Sequence, residues 1–170
     1  MENLDLMVLR RLKEWRDAGH RGLLATVTRT WGSSPRPVGS IMALCDTGAV
    51  VGSVSGGCIE DDLIYRYTQA YAQAAQIAGE SAQIPQGPPE RIKYGISADE
   101  AHRFGLPCGG TLELLLEFDP DAKALGDLIA HLEAGHLVHR RTDLKSGVVS
   151  LQTGHNPQAL VIDEHQLINT

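Results

Sequence analysis

The chain has 170 residues, 42% of them hydrophobic, enough for one sound core but cramped for two, so a single domain spanning residues 1–170 is expected. A formal net charge of −6, with no basic cluster interleaved with aromatics, argues against a nucleic-acid partner, and Arg10-Arg11 and Arg140-Arg141 read as solvated surface pairs. No apolar run of about 18 residues and no signal-peptide pattern occurs, which points to a cytoplasmic protein with no membrane contact. Its three cysteines cannot build a disulfide framework and are expected as thiols.

In chain order, Leu4, Val8, Leu12 and Trp15 mark an apolar helical stripe from about Leu4 to Ala18, stopped by Gly19. A β-branched strand follows from Leu23 to Thr30. The run Trp31-Gly32-Ser33-Ser34-Pro35-Arg36-Pro37-Val38-Gly39 is a loop, because its prolines forbid helix and its glycines permit sharp bends. Ser40 to Cys45 and Val50 to Ser55 read as a hairpin closed by Asp46-Thr47-Gly48, with Cys45 simply packed. Ile59, Leu63, Tyr67, Ala70, Ala74 and Ile77 recur at helical spacing, giving a helix from Cys58 to about Ala78. The proline-rich stretch Ile84 to Pro89 is a loop, Arg91 to Ile96 a strand, and Ser97 the N-cap of a short helix reaching Phe104. Leu112 to Phe118 is a strand and Pro120 to Ala134 a helix. Three short strand-like runs close the chain at Leu137 to Arg141, Gly147 to Leu151 and Ala159 to Ile162. Partial alternation of strands and helices, together with hairpins, implies an α/β or α+β fold with helices packed on a mixed β-sheet.

Chemistry concentrates where Gly52-Ser53-Val54-Ser55-Gly56-Gly57-Cys58 breaks from strand into helix. A cysteine in a first helical turn meets unpaired backbone N–H groups and the positive end of the dipole, which favour a thiolate; Glu60-Asp61-Asp62 oppose that effect. Cys108 also sits beside a glycine pair, Gly109-Gly110, directly before a strand. Arg36, flanked by prolines and preceded by Ser33 and Ser34, is a rigid way to present a guanidinium to phosphate or carboxylate. The nucleotide loops Gly-x-Gly-x-x-Gly and Gly-x-x-x-x-Gly-Lys-Ser/Thr are absent, as is Cys-x-x-Cys, and His136-x-x-His139 lacks the i, i+4 spacing of a helical zinc pair. The thiols leave two other roles open. Cys58 can act as nucleophile in sulfur or acyl transfer, or Cys58 and Cys108 can form a redox disulfide.

Four segments, Ser33 to Gly39, Gly52 to Glu60, Tyr94 to Ser97 and Gly105 to Glu113, resemble the N-terminal domain of the XdhC/CoxI family of xanthine dehydrogenase accessory factors, in the same order through most of residues 1–118. The resemblance implies a non-catalytic maturation chaperone that transiently holds the molybdenum cofactor (molybdopterin). A partner cysteine desulfurase would sulfurate the cofactor, which then passes to a molybdenum hydroxylase apoenzyme such as xanthine dehydrogenase. Molybdopterin carries a phosphate and a dithiolene-bound metal, so the residues expected to hold it are Ser33, Ser34, Arg36, Ser55, Gly56, Gly57, Cys58, Glu60, Cys108, Gly109 and Gly110, with Cys58 and Cys108 contacting molybdenum or a transferred sulfur. Longer members continue into a Rossmann-like half, which is not expected here. Bare sheet edges make a homodimer an expectation as well.

Overall fold

The computed structural model describes residues 4–31, 36–55, 58–68, 84–94, 111–136, 138–153, 161–162 and 166–169; at Trp31, Cys58, Thr111, Thr153 and residues 161–162 and 166–169 it describes the backbone. Two antiparallel sheets and three helices make up these residues, an α+β arrangement within the class the sequence implies. Every described strand pairing is antiparallel.

The first sheet has five strands: β1 (Gly22–Trp31), β2 (Ile41–Cys45), β3 (Val50–Gly52), β4 (Glu90–Tyr94) and β5 (Thr111–Phe118), in the spatial order β3-β2-β1-β5-β4. Strand alternation divides its side chains between two faces. Leu23, Ala25, Val27, Met42, Leu44, Leu112, Leu114 and Leu116 pack under Ile59, Leu63 and Ile64 of helix α2 (Cys58–Tyr67). On the other face Leu24, Ile41 and Ala43 meet α1 (Leu4–Asp17), through Leu6, Val8, Leu9 and Leu12, and α3 (Ala122–Glu133), through Leu125, Leu128 and Ile129. The sheet is therefore covered on both faces, which explains why β2 and β5 read as unbroken apolar runs or nearly so. The second sheet holds β6 (Val138–Asp143), β7 (Val149–Thr153), β8 (Val161–Ile162) and β9 (Gln166–Asn169), in the order β7-β6-β9-β8.

Most sequence-derived boundaries fall within two residues of these, and the exceptions have local causes. Leu4, expected in the apolar stripe of α1, is exposed, because the buried face is set by Leu6, Val8, Leu9 and Leu12. The strand expected to reach Ser55 stops at Gly52, where φ is +81°, a value that breaks the pleat. Helix α3 starts later than Pro120 because Asp121 is its N-cap, accepting the Ala124 N–H at 3.0 Å. Strand β9 was not anticipated. The expected helix beyond residue 68 and the one at Ser97–Phe104 lie outside the described residues.

Arg140 contradicts the solvated-surface reading. It is buried on β6 and forms a two-pronged ion pair with buried Glu117 of β5, Nη1 to Oε2 at 2.9 Å and Nη2 to Oε1 at 2.8 Å. The pairing joins the two sheets across 23 residues of sequence, and that distant carboxylate, with the Thr142 hydroxyl accepting at 3.2 Å, makes burial of the guanidinium tolerable. Arg141, the alternate residue on the strand, is exposed as expected.

Candidate functional site

Antiparallel order decides which loops share an end of the sheet. β1, β3 and β4 finish at the end where β2 and β5 begin. Trp31 is opposite Thr111, Tyr94 opposite Leu112, and Gly52 opposite Met42. All three segments singled out by the sequence connect to strand termini at this end. The arrangement is stepped: β2 begins opposite Thr26, while β1 and β5 pair onward to Trp31, and Gly39 and Ser40 follow β1 by hydrogen bonds to Val27.

At the turn between β3 and α2, Gly52 fits where no larger residue does. A Cβ there would lie 2.6 Å from the Ile41 carbonyl oxygen and 2.7 Å from Val8 Cγ2. The chain then folds around Glu60. Its Oε1 accepts the Val54 N–H at 2.7 Å, the Ser55 N–H at 2.8 Å and the Ser53 hydroxyl at 3.1 Å, while Oε2 accepts the Ser55 hydroxyl. Ser55 Oγ in turn accepts the Ile59 N–H at 3.3 Å, capping α2. Burial of Glu60 works to raise its pKa, but the hydrogen bonds from Ser55, Val54 and its own backbone outweigh that and hold the carboxyl below its ordinary value.

This geometry revises one expectation about Cys58, which occupies the first position of α2. The N–H of Ile59 is taken by Ser55, and an ionised carboxylate sits in the same turn, so the helix start offers a thiolate less help than an uncapped terminus would. Ser55 and Glu60 are thus brought together, and both are buried. Arg36 is exposed, in the loop between β1 and β2. Ser33, Ser34, Gly56, Gly57, Cys108, Gly109 and Gly110 lie outside the described residues.

Two further contacts at this end escaped the sequence reading. Tyr94, the last residue of β4, donates its hydroxyl to Asp62 Oδ2 of α2 at 2.6 Å, and Arg66 both pairs with that carboxylate at 2.9 Å and lies over the Tyr94 ring. Burial, and next the Asp62 carboxylate, push the Tyr94 pKa well above its usual value. Thr28 Oγ1 donates to buried Glu113 at 3.0 Å, beside the bulge between Val27 and Arg29. Neither pair has a spacing signature, since 32 residues separate Tyr94 from Asp62 and 85 separate Thr28 from Glu113. A cavity of about 300 Å³ bounded by Asp119, Asp121, Arg140 and Val148 lies at the opposite end of the sheet, and the Arg140 and Asp119 groups on its wall are already paired, with Glu117 and Arg21.

Residues 15–78 match the model of the XdhC and CoxI family. Over 126 residues the chain is 29% identical to the molybdenum cofactor insertion chaperone PaoD of Escherichia coli (strain K12), covering 74% of this chain and 35% of that protein. A crystal structure described as a xanthine dehydrogenase from Bacillus halodurans superposes with a TM-score of 0.59 at 27% identity, covering 86% of this chain and 41% of that one. The chain thus spans about a third to two-fifths of the length of these relatives. Over residues 15–78 the chain is thus similar to the XdhC and CoxI family, and it shares a fold with a relative of 27% identity.

Proposed function

We propose that this chain binds the molybdenum cofactor at the stepped end of the five-stranded sheet and serves as an insertion chaperone for a molybdenum hydroxylase. The observation that carries the reading is topological. The loop bearing Ser33, Ser34 and Arg36, the turn into Cys58 and the segment bearing Cys108 all attach to strand ends on that side of the molecule. The Tyr94–Asp62 hydrogen bond supports it further, because it ties α2, which starts at Cys58, to the strand from which the Cys108 segment departs. The relative PaoD is itself described as a molybdenum cofactor insertion chaperone.

The donor types suit the group. When bound, the cofactor supplies a phosphate and a molybdenum held by a dithiolene. Arg36 with Ser33 and Ser34 would take the phosphate, the backbone N–H groups of Gly56-Gly57 and Gly109-Gly110 would line the anionic part, and Cys58 and Cys108 would face the metal or its sulfur. Ser55 and Glu60 have a positioning role, because their oxygens hold the turn that presents Cys58. Sulfuration with a cysteine desulfurase as donor, and self-association, are finer parts of the same proposal. Co-purification of a desulfurase and light scattering test them.

The full chain, purified from a host that makes the cofactor, is expected to carry molybdenum and to release a fluorescent pterin on oxidation. Cys58→Ser and Cys108→Ala should each lower occupancy at least about tenfold. Unchanged retention and unchanged activation of the hydroxylase in both variants would remove the proposal.

A further inference from the structure

At the other end of β1, three metal-ligating side chains converge from two separate turns. His20 lies between α1 and β1; Cys45 ends β2 and Asp46 opens the turn to β3. His20 Nδ1 is 3.0 Å from Asp46 Oδ1, Cys45 Sγ is 3.4 Å from the same oxygen, and the three donor atoms all lie within 4.8 Å of one another. We propose that His20, Cys45 and Asp46 form a site for a thiophilic divalent transition metal of the zinc class, with an exchangeable fourth position open to water.

Tetrahedral zinc with bonds of about 2.0–2.3 Å places its donors about 3.3–3.6 Å apart, so the two contacts to Asp46 Oδ1 need shifts of a few tenths of an ångström, and the His20 and Cys45 donors, within 4.8 Å of each other, close by at most about 1.5 Å through side-chain rotation. A nitrogen, sulfur and oxygen set suits zinc or cobalt, whereas magnesium and calcium take oxygen alone. The ligands are also held from behind. Asp46 Oδ2 accepts the Arg21 N–H at 3.0 Å, which aims Oδ1 at the sulfur and the imidazole. The turn itself is fixed by Cys45 N–H to Ala49 at 2.8 Å, Gly48 N–H to Cys45 at 2.9 Å and Asp46 N–H to Arg21 at 3.1 Å. Cys45 is buried, while the side chains of His20 and Asp46 are 44% and 37% exposed, so an ion enters from their side. The Arg21 guanidinium, the nearest positive charge in sequence, is turned away onto Asp119 and the Pro85 carbonyl. On binding, the Cys45 thiol proton and the His20 Nδ1 proton directed at Asp46 are displaced to solvent, and the ligating imidazole holds its one proton on Nε2. None of these residues belongs to the proposed cofactor site, which lies beyond the far end of β1, about 30 Å of strand away. Either reading can fail alone.

Cobalt titration of the full chain carrying Cys58→Ser and Cys108→Ser, so that Cys45 is the remaining thiol, tests the proposal. One equivalent of Co²⁺ is expected to bind with a near-ultraviolet thiolate-to-cobalt band and tetrahedral d–d bands, displaced by zinc. Adding Cys45→Ser should abolish the thiolate band, and His20→Ala should weaken binding at least about tenfold. Should the double variant fail to fold, the unaltered chain is compared with Cys45→Ala, which should lose one equivalent. Absence of the thiolate band, or equal affinity after His20→Ala, would leave an ordinary His–Asp hydrogen bond beside a packed cysteine and overturn the site.

Discussion

Glu60 shows how one side chain can shape a turn. Removing its carboxylate strands the Val54 and Ser55 N–H groups, both in buried residues. Glu60→Ala is therefore expected to cost about 2–4 kcal/mol in urea unfolding at pH 7. The folded pKa lies below the ordinary 4.5, so the carboxylate's contribution is present above about that pH and is lost as pH falls through the folded value. The stability gap between the parent and Glu60→Gln should accordingly narrow on acidification, and a gap constant down to pH 3 would contradict the assignment. Gly52 is a second fixed point. With φ at +81° and a backbone oxygen 2.6 Å from where a Cβ would sit, Gly52→Ala should lose about 2–4 kcal/mol in the same assay. The glycine was visible in the sequence; the contacts that demand it come from Ile41 and Val8.

Among the elements, α2 is anchored to the sheet by apolar packing and by Tyr94. Its hydroxyl bonds a carboxylate, so Tyr94→Phe is expected to cost about 1.5–3 kcal/mol near neutral pH. Because the folded pKa is raised, this contribution is complete below the ordinary value of 10.0 and declines as pH rises beyond it. Denaturation of parent and variant at pH 8 and pH 11 checks this: the two should converge at the higher pH. The helix period that defines α2 was legible, since Ile59 and Leu63 recur on one face. Its capping was not, because Ser55 and Glu60 are five apart and the usual reciprocal cap is spaced by three.

Across the whole molecule, the buried Arg140–Glu117 pair connects the second sheet to the first. Arg140→Met leaves Glu117 charged and unpaired, and a loss of about 3–5 kcal/mol is expected; adding Glu117→Leu should recover much of it, measurable as a double-mutant cycle. Equal losses in the single and double variants would mean that the pair is not what couples the sheets. By itself the sequence determined most of the described helices and strands, the helix stop at Gly19 and the proline-rich loop ahead of β4. Those follow from backbone dihedral preference and from the spacing of apolar residues, which are properties of near neighbours. Tertiary structure alone decided the antiparallel order that puts three candidate segments at one sheet end, the pairing of β9 with β6, and the partners of Glu60, Tyr94, Asp46 and Arg140. A buried polar group must find its partner wherever packing brings one, and over separations of 25 residues for Asp46 with Arg21 or 32 for Tyr94 with Asp62 no local periodicity encodes that meeting.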